Sequence, residues 1–187
     1  FQSAWFKFDI CTVHVYYGKE SGPELQERIQ EIDRIANYFG ERAKRAFKDG
    51  RSLILLGDFN IVGHDHDTMK ALLSSGFQVP EPLQALPTNI GRTKYYDEIA
   101  FRTRPGIWST STPTKMARAR RSILTPAQFD EYKLAAAESP NGKKQTTEQK
   151  LEKYYATWKT YQLSDHLPLW VQLKVNDSSK YLRDLAK

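Results

Sequence analysis

The sequence contains very little sulfur, with a single cysteine, Cys11, and two methionines among 187 residues. A lone cysteine cannot form an internal disulfide, and it falls short of the grouped cysteines that zinc motifs use. We therefore predict that Cys11 is a small buried hydrophobic residue. This cysteine content is compatible with a reducing cytoplasm, which is the compartment that we favour.

Long apolar runs are also absent, because no stretch reaches the roughly 18 residues that a membrane span needs. The chain opens at Phe1 inside an aromatic run, without the pattern of a signal peptide. We interpret Phe1 as a fragment boundary. Hydrophobic residues make up 40% of the chain and charged residues 27%, which predicts a folded domain with a real core.

Positive charge is in excess, since 28 Lys and Arg oppose 22 Asp and Glu and give a formal charge of +6. A basic balance favours anionic partners such as nucleic acid or phosphorylated molecules. It does not choose between them.

Strand-like and helix-like patterns alternate along the chain. Residues 4–17 are aromatic and β-branched and predict a strand or hairpin edge, and residues 52–56 predict a strand covered on both faces. Between them lies an amphipathic helix, whose solvated face carries Arg28, Arg34 and Arg42. Its apolar stripe comprises Leu25, Ile29, Ile32, Ala36, Phe39, Ala43 and Phe47.

The second half continues the alternation. A short helix is predicted at 67–75 with Asp67 as N-cap, and a strand from Tyr95 to Phe101. From Leu167 to Val175 apolar residues alternate with others, which predicts a final strand. Interleaved strands and helices indicate a layered α/β or α+β domain with a site along one edge of a sheet.

Two oxygen-bearing side chains follow the strand at 52–56. Asp58 and Asn60 come after Gly57, two positions apart, and such residues face the same side of an extended chain. A carboxylate and an amide that face one spot suit a hard cation such as Mg²⁺. The alternative is a polar turn, because Gly, Asp and Asn are common turn residues. The local sequence leaves both open.

Other polar residues stand at unusual places. Asp165 and His166 precede the last strand and could bind metal and phosphate, or form a solvated pair. His14 lies in the first strand and could donate a proton or be structural. Asp97 interrupts a strand, where carboxylates are disfavoured, so it either faces solvent at an edge or orients a histidine.

In chain order, these elements resemble the endonuclease/exonuclease/phosphatase superfamily, which includes deoxyribonuclease I, abasic-site endonucleases, inositol polyphosphate phosphatases, bacterial sphingomyelinases and deadenylases. The specific motifs are GDFN at 57–60 and SDH at 164–166, supported by TVH at 12–14 and YDEIAF at 96–101. The resemblance spans about residues 13–170. It implies an α+β fold that is half of a four-layer α/β/β/α sandwich, with a mixed, mostly antiparallel sheet and flanking helices.

The resemblance also implies a role for each matching residue. Asp58 would orient or deprotonate the attacking water, and Asn60 would hold the scissile phosphate or the metal. Asp165 would help to bind Mg²⁺, with Mn²⁺ as the alternative ion. His166 would bind the phosphate and stabilise its developing charge, and Asp97 would fix the tautomer of His166.

The resemblance gives His14 the task of binding the phosphate or protonating the leaving oxygen. The family's first half supplies an early Asn and the Glu that is the main metal ligand, and nothing before Phe1 supplies them here. We therefore expect an incomplete metal site, weak activity of the chain alone, and an apolar sheet face that takes up a missing N-terminal half or a second copy.

Residues 109–161 look like a helical insertion within a domain that spans residues 1–175, and residues 176–187 form a polar tail. The insertion has a basic patch that would bind phosphates or form a solvated loop, and an aromatic cluster that would stack bases or simply pack. The patch comprises Lys115, Arg118, Arg120 and Arg121, and the cluster comprises Tyr154, Tyr155, Trp158 and Tyr161.

One further run invites a metal hypothesis. His64, Asp65, His66 and Asp67 are consecutive and offer ligands that transition metals accept. The helix-cap interpretation of Asp67 competes with this site.

Three classes of function remain. The first is a nuclease or phosphodiesterase that acts on nucleic acid, which the basic charge favours. The second is a small-molecule or lipid phosphoesterase of the same fold, similar to an inositol phosphate phosphatase or a sphingomyelinase. The third is a non-catalytic binding module that kept the fold, which the catalytic-type residues disfavour. We predict the first, as a Mg²⁺-dependent hydrolase.

Overall fold

The computed structural model describes residues 1–4, 6–89, 91–103, 164–171 and 173. These residues include one mixed sheet and three helices, which confirms the α+β class. The strands are β1 (Gln2–Ser3), β2 (Phe6–His14), β3 (Arg51–Ile61) and β4 (Tyr95–Arg102), and the helices are α1 (Gly22–Lys48), α2 (Asp67–Leu73) and α3 (Glu81–Gln84). The predicted insertion and polar tail lie outside the described residues.

The sheet has the strand order β1-β2-β3-β4. β2 and β3 are parallel, with α1 as the connection between them, and the two other pairs are antiparallel. The register places Asp58 of β3 beside His14 on one side and beside Asp97 on the other. Three segments that are far apart in sequence therefore bring one polar residue each to the same row across the sheet.

Helix α1 covers one side of the sheet with the apolar stripe that its sequence predicts. Leu25, Ile32 and Ala36 are buried, and they contribute to a core around β3. The prediction that Arg28 is solvated is wrong, since only 1% of this residue is exposed. Arg28 stands three residues after Leu25 and four before Ile32, which is the spacing of the buried stripe itself.

The short helix α2 forms as predicted, but its cap is a different residue. His66 is the N-cap, because its Nδ1 accepts a hydrogen bond from the backbone N–H of Thr68 at 3.1 Å. Asp67 is the first residue of the helix and forms an ion pair with Lys70 at 2.8 Å. Cys11 is half-buried, so the prediction of a buried thiol holds only in part.

The predicted strand at the C-terminal end is not formed within residues 164–171 and 173. An isolated bridge joins His166 to Asn89, and the Leu167 N–H donates to the Thr88 carbonyl at 2.5 Å. The side chains of Leu169 and Val171 nevertheless pack against the core. Within residues 164–171 and 173 the alternation therefore indicated which side chains are half-buried, and no strand ladder accompanies it there.

No helix in the described segments is long and apolar enough to cross a membrane.

Candidate active site

Gly57 allows β2 and β3 to approach closely just before the site. Its φ is +137°, and a Cβ placed on it would lie 2.1 Å from the carbonyl oxygen of Val13. An L-residue rarely adopts this backbone conformation, and no side chain fits the space. The close approach places the His14 Nε2 at 3.6 Å from the Asp58 Oδ2.

Asn60 supports Asp58 through its backbone. The register of β3 and β4 shifts between Asp58 and Ile61, and the φ of Asn60 is +51°. The Asn60 N–H donates to the Asp58 Oδ1 at 2.9 Å, which fixes one carboxylate oxygen. The extended backbone, from which the two side chains were expected to share one side, is therefore not present at Asn60.

The side chain of Asn60 joins the two strand ends. Its Nδ2 donates to the Val15 carbonyl at 2.8 Å, and only 3% of the residue is exposed. This contact stabilises the left-handed backbone at Asn60, which asparagine tolerates better than most residues. A role for Asn60 as a ligand of phosphate or metal stays a prediction.

Arg28 supports the site from helix α1, and the sequence analysis did not identify this role. Its guanidinium donates to the Asn60 carbonyl at 3.0 Å and to the Lys19 carbonyl at 2.9 Å. It thereby ties helix α1 to the end of β3 and to the loop after β2. Its position on the buried stripe was the available signal, because a charged residue there has to find buried partners.

His166 is held in place by β4 and by the turn before it. Its Nδ1 lies 2.8 Å from the Asp97 Oδ2, and its backbone N–H donates to the Ser164 Oγ at 3.0 Å. The Asp97 N–H donates to the Thr88 Oγ1 at 3.0 Å, which anchors the partner as well. When Nδ1 donates its proton to Asp97, Nε2 is left to face the site.

Two of the predicted residues, His14 and His166, lie next to the Asp58 Oδ2, and Asp97 and Asp165 lie next to His166 in turn. The His166 Nε2 lies 3.9 Å from the Asp58 Oδ2 and 3.9 Å from the Asp165 Oδ1. Asp58, Asp97 and His166 are largely buried, whereas the side chains of His14 and Asp165 are 82% and 69% exposed. The largely buried residues of the site are therefore held in place, and its exposed residues are accessible to a ligand.

Burial raises the pKa of Asp58 above its ordinary value, and the negative charge of Asp97 acts in the same direction. The hydrogen bond from Asn60 and the neighbouring His166 oppose this shift. Because the net shift is upward, Asp58 accepts a proton more readily than an exposed aspartate does. This is a useful property for a group that takes a proton from water.

The donor atoms of the site fit a hard cation. Atoms of Asp58, Asp97 and His166 lie within 4.8 Å of one another. Asp97 and His166 already bind each other, however, so the oxygen donors left for Mg²⁺ are Asp58 and the exposed Asp165. One or two carboxylates together with phosphate oxygens and water are the ligands that Mg²⁺ usually has in enzymes.

The competing metal hypothesis has no support in the described segments. The run from His64 to Asp67 does not form a group of three ligands there, because His66 caps α2 and His64 lies near only Asp65, at 3.8 Å. The basic residues Arg118, Arg120 and Arg121 lie outside the described residues, and their predicted binding of phosphate stays a prediction.

A buried carboxyl lies behind the site. Glu98 pairs with Gly57 in the register, is 1% exposed, and its Oε2 has no hydrogen-bond partner in the part of the chain that the structure describes. Burial raises the pKa of Glu98 well above its ordinary value, with a further contribution from Asp97. Strand alternation places Glu98 on the opposite side of the sheet from Asp97, and the sequence did not single it out.

Comparison with known proteins adds no relative to this picture. No protein-family model, no curated protein and no solved structure matches the chain. We therefore infer the function from the residues and their geometry.

Proposed function

We propose that the protein is a Mg²⁺-dependent phosphoester hydrolase, a nuclease or phosphodiesterase that acts on nucleic acid. The observation that carries the proposal is the contact between His166 and Asp97 at 2.8 Å, next to the free oxygen of Asp58 and the exposed ring of His14. This arrangement offers a proton acceptor, an oriented imidazole and a proton donor around one open space. Each of these groups can accelerate the hydrolysis of a phosphoester.

Each residue has a task in the proposed reaction. Asp58 orients the attacking water and takes its proton as the oxygen–phosphorus bond forms. His166, oriented by Asp97, binds a phosphate oxygen through Nε2 and stabilises the charge that develops there. His14 donates a proton to the leaving oxygen as its bond to phosphorus breaks. Asp58, which is largely buried, thus accepts one proton, and His14, which is exposed, donates one.

Mg²⁺, or Mn²⁺ in its place, would be held by Asp58 and Asp165, with Asn60 as a further candidate. When bound, it would supply positive charge against the phosphate oxygens. A bound cation would lower the pKa of Asp58, which burial raises in the free protein, and would so favour the ionised carboxylate.

The fold and the partners belong to the same proposal. The sheet would be one of the two sheets of a four-layer α/β/β/α sandwich, within an endonuclease/exonuclease/phosphatase domain. The side of β2 that faces away from α1 carries Phe6 and Phe8, which are half-buried, and Ile10, which is exposed. A second sheet, from another half of the domain or from a second copy, would cover these side chains.

The test is hydrolysis of a substrate panel by the full-length protein with Mg²⁺. The panel contains abasic DNA, plain DNA, RNA, a phosphoinositide and bis-p-nitrophenyl phosphate, and the variants are Asp58→Ala and His166→Ala. Loss of a proton acceptor such as Asp58 typically costs about 10²- to 10⁴-fold in rate, and loss of a group that stabilises a developing negative charge, such as His166, costs about 10²- to 10³-fold. His64→Ala is the matched control, since His64 is an exposed histidine whose one ionic neighbour among the described residues is Asp65.

The outcomes separate the classes of function. Hydrolysis of nucleic acid that both site variants lose and the control keeps is the expected result, and it should disappear when EDTA removes Mg²⁺. Preference for the phosphoinositide would favour the lipid or small-molecule phosphoesterase. No hydrolysis of any substrate, with ligand binding unchanged in both site variants, would leave a binding module that kept the fold.

A further inference from the structure

The exposed ring of Tyr17 is connected to the ring of His166 through one intermediate ring, that of Tyr96. The Tyr96 ring centroid is 5.3 Å from that of His166, and the Tyr17 centroid is 5.7 Å from that of Tyr96 in an edge-to-face arrangement. The two tyrosine hydroxyls are 3.4 Å apart, so they also form a hydrogen bond. Tyr17 is therefore fixed relative to the imidazole that would bind the phosphate.

Tyr17 is held in place yet remains accessible to solvent. The guanidinium of the buried Arg28 lies 5.3 Å from the centre of its ring. Tyr17 is nevertheless 49% exposed. A ring that is held by its neighbours and exposes about half of its surface offers an aromatic contact to a flat ligand.

The charges near Tyr17 are already paired. Lys19 forms an ion pair with Glu24 at 3.1 Å, and Lys94 forms one with Glu20. These lysines are therefore poorly placed to attract a phosphate by charge alone. What the surface offers a ligand is an aromatic face, which suits a nucleobase better than a phosphate or a lipid headgroup.

We propose that Tyr17 is the stacking platform for an unpaired nucleobase of single-stranded nucleic acid, on the nucleotide next to the phosphate that His166 binds. The inference rests on the proposed function and names the substrate class of the same site. Stacking on an aromatic side chain requires the base to leave a duplex, because both faces of a paired base are covered by its neighbours. Tyr96 acts as a positioning residue that connects the platform to His166.

The experiment is a binding titration in EDTA, in which no Mg²⁺-dependent hydrolysis takes place. The probe is a short fluorescent oligothymidylate, compared with copies in which one nucleotide at a time is abasic. Removal of the base that stacks on Tyr17 should weaken binding about tenfold, while removal of other bases has smaller effects. Because stacking is not ionic, this ratio should persist when salt is raised, although overall affinity falls.

Variants connect the effect to the ring. Tyr17→Ser should abolish the difference between the normal and the abasic strand, and Tyr17→Phe should keep it. Tyr38→Ser is the matched control, since Tyr38 is 58% exposed on α1 and makes its ring contact with Phe39. Circular dichroism confirms that each variant is folded, and the scan of the wild-type protein tests the platform without any variant.

Two results would overturn the platform: equal affinity of the wild-type protein for all strands, or the same loss in Tyr38→Ser as in Tyr17→Ser. A protein that hydrolyses phosphodiesters but shows no position-dependent base effect refutes the platform alone. A base effect that Tyr17→Ser removes, in a protein that hydrolyses nothing, refutes the proposed catalysis and supports the platform.

Discussion

Replacement of the buried Arg28 should destabilise the protein far more than replacement of an exposed arginine on the same helix. Arg28 is 1% exposed and donates to two backbone carbonyls, those of Asn60 at 3.0 Å and Lys19 at 2.9 Å. Arg34, six residues further along α1, is exposed, and its contact is a side-chain bond to Gln30 at 3.4 Å. The pair Arg28→Ala and Arg34→Ala therefore isolates burial, since the change in helix propensity is the same in both.

The magnitude follows from the two bonds. A hydrogen bond from a charged group contributes about 1.5–3 kcal/mol, and a carbonyl left unpaired in the interior costs about 1–3 kcal/mol. Because two such bonds are lost, we expect Arg28→Ala to lower the free energy of unfolding by about 3–5 kcal/mol, a large share of a typical domain's total of about 5–15 kcal/mol. Arg34→Ala should stay within about 0.5 kcal/mol of wild type, as surface substitutions do.

Urea unfolding followed by circular dichroism measures both variants. Arg28→Lys adds a graded test, because an ammonium retains the charge but cannot reproduce the planar fork that reaches both carbonyls. Its stability should lie between those of the wild type and Arg28→Ala. If Arg28→Ala were as stable as Arg34→Ala, the two hydrogen bonds would not hold the strand end, and the support assigned to Arg28 would be refuted.

Two further predictions concern the neighbourhood of Asp58. Gly57→Ala should lower the free energy of unfolding by about 3 kcal/mol or more, because it combines a strained φ with a clash against Val13. Gly50→Ala, at φ +70° with no atom within 4 Å, should lower it by about 1–2 kcal/mol. Urea unfolding measures both variants. Burial raises the pKa of Glu98 in the folded protein above its value in the unfolded state. The proton on Glu98 therefore contributes stability that is fully present below the pKa of the unfolded state. This contribution is lost as pH rises through the higher folded pKa, at up to about 1.4 kcal/mol for each pH unit. Thermal unfolding of Glu98→Gln should therefore show a stability gain over wild type that grows from pH 4 to pH 8, and a constant difference would contradict this reasoning.

Local patterns in the sequence predicted most elements of the fold. The period of the apolar residues gave α1, and the short apolar run before Gly57 gave β3, because burial of a stripe or a run is encoded within a few residues. The same rules gave α2 and β4 with small shifts at their ends. Arg28 was misjudged because its residue type was weighed above its position on the stripe.

The sequence predicted which residues form the site better than it predicted the geometry of the site. Asp58, Asp97, His166 and His14 were singled out, and the structure brings them together. The local bend at Asn60 was not predicted, because it depends on contacts with distant segments: a hydrogen bond to Val15 and one from Arg28. Long-range partners of this kind leave no periodic trace in one sequence.

Register is the physical link between the motifs and the site. His14 lies beside Asp58 because β2 and β3 pair in parallel, with the backbone of Val13 against Gly57. Asp97 lies beside Asp58 because β4 pairs with β3 in a register that places Glu98 opposite Gly57. A slip of one residue in either pair would turn a polar side chain to the opposite side of the sheet. Gly57 prevents such a slip, because no other residue fits against Val13. Its place directly before Asp58 therefore belongs to the chemistry as much as to the fold.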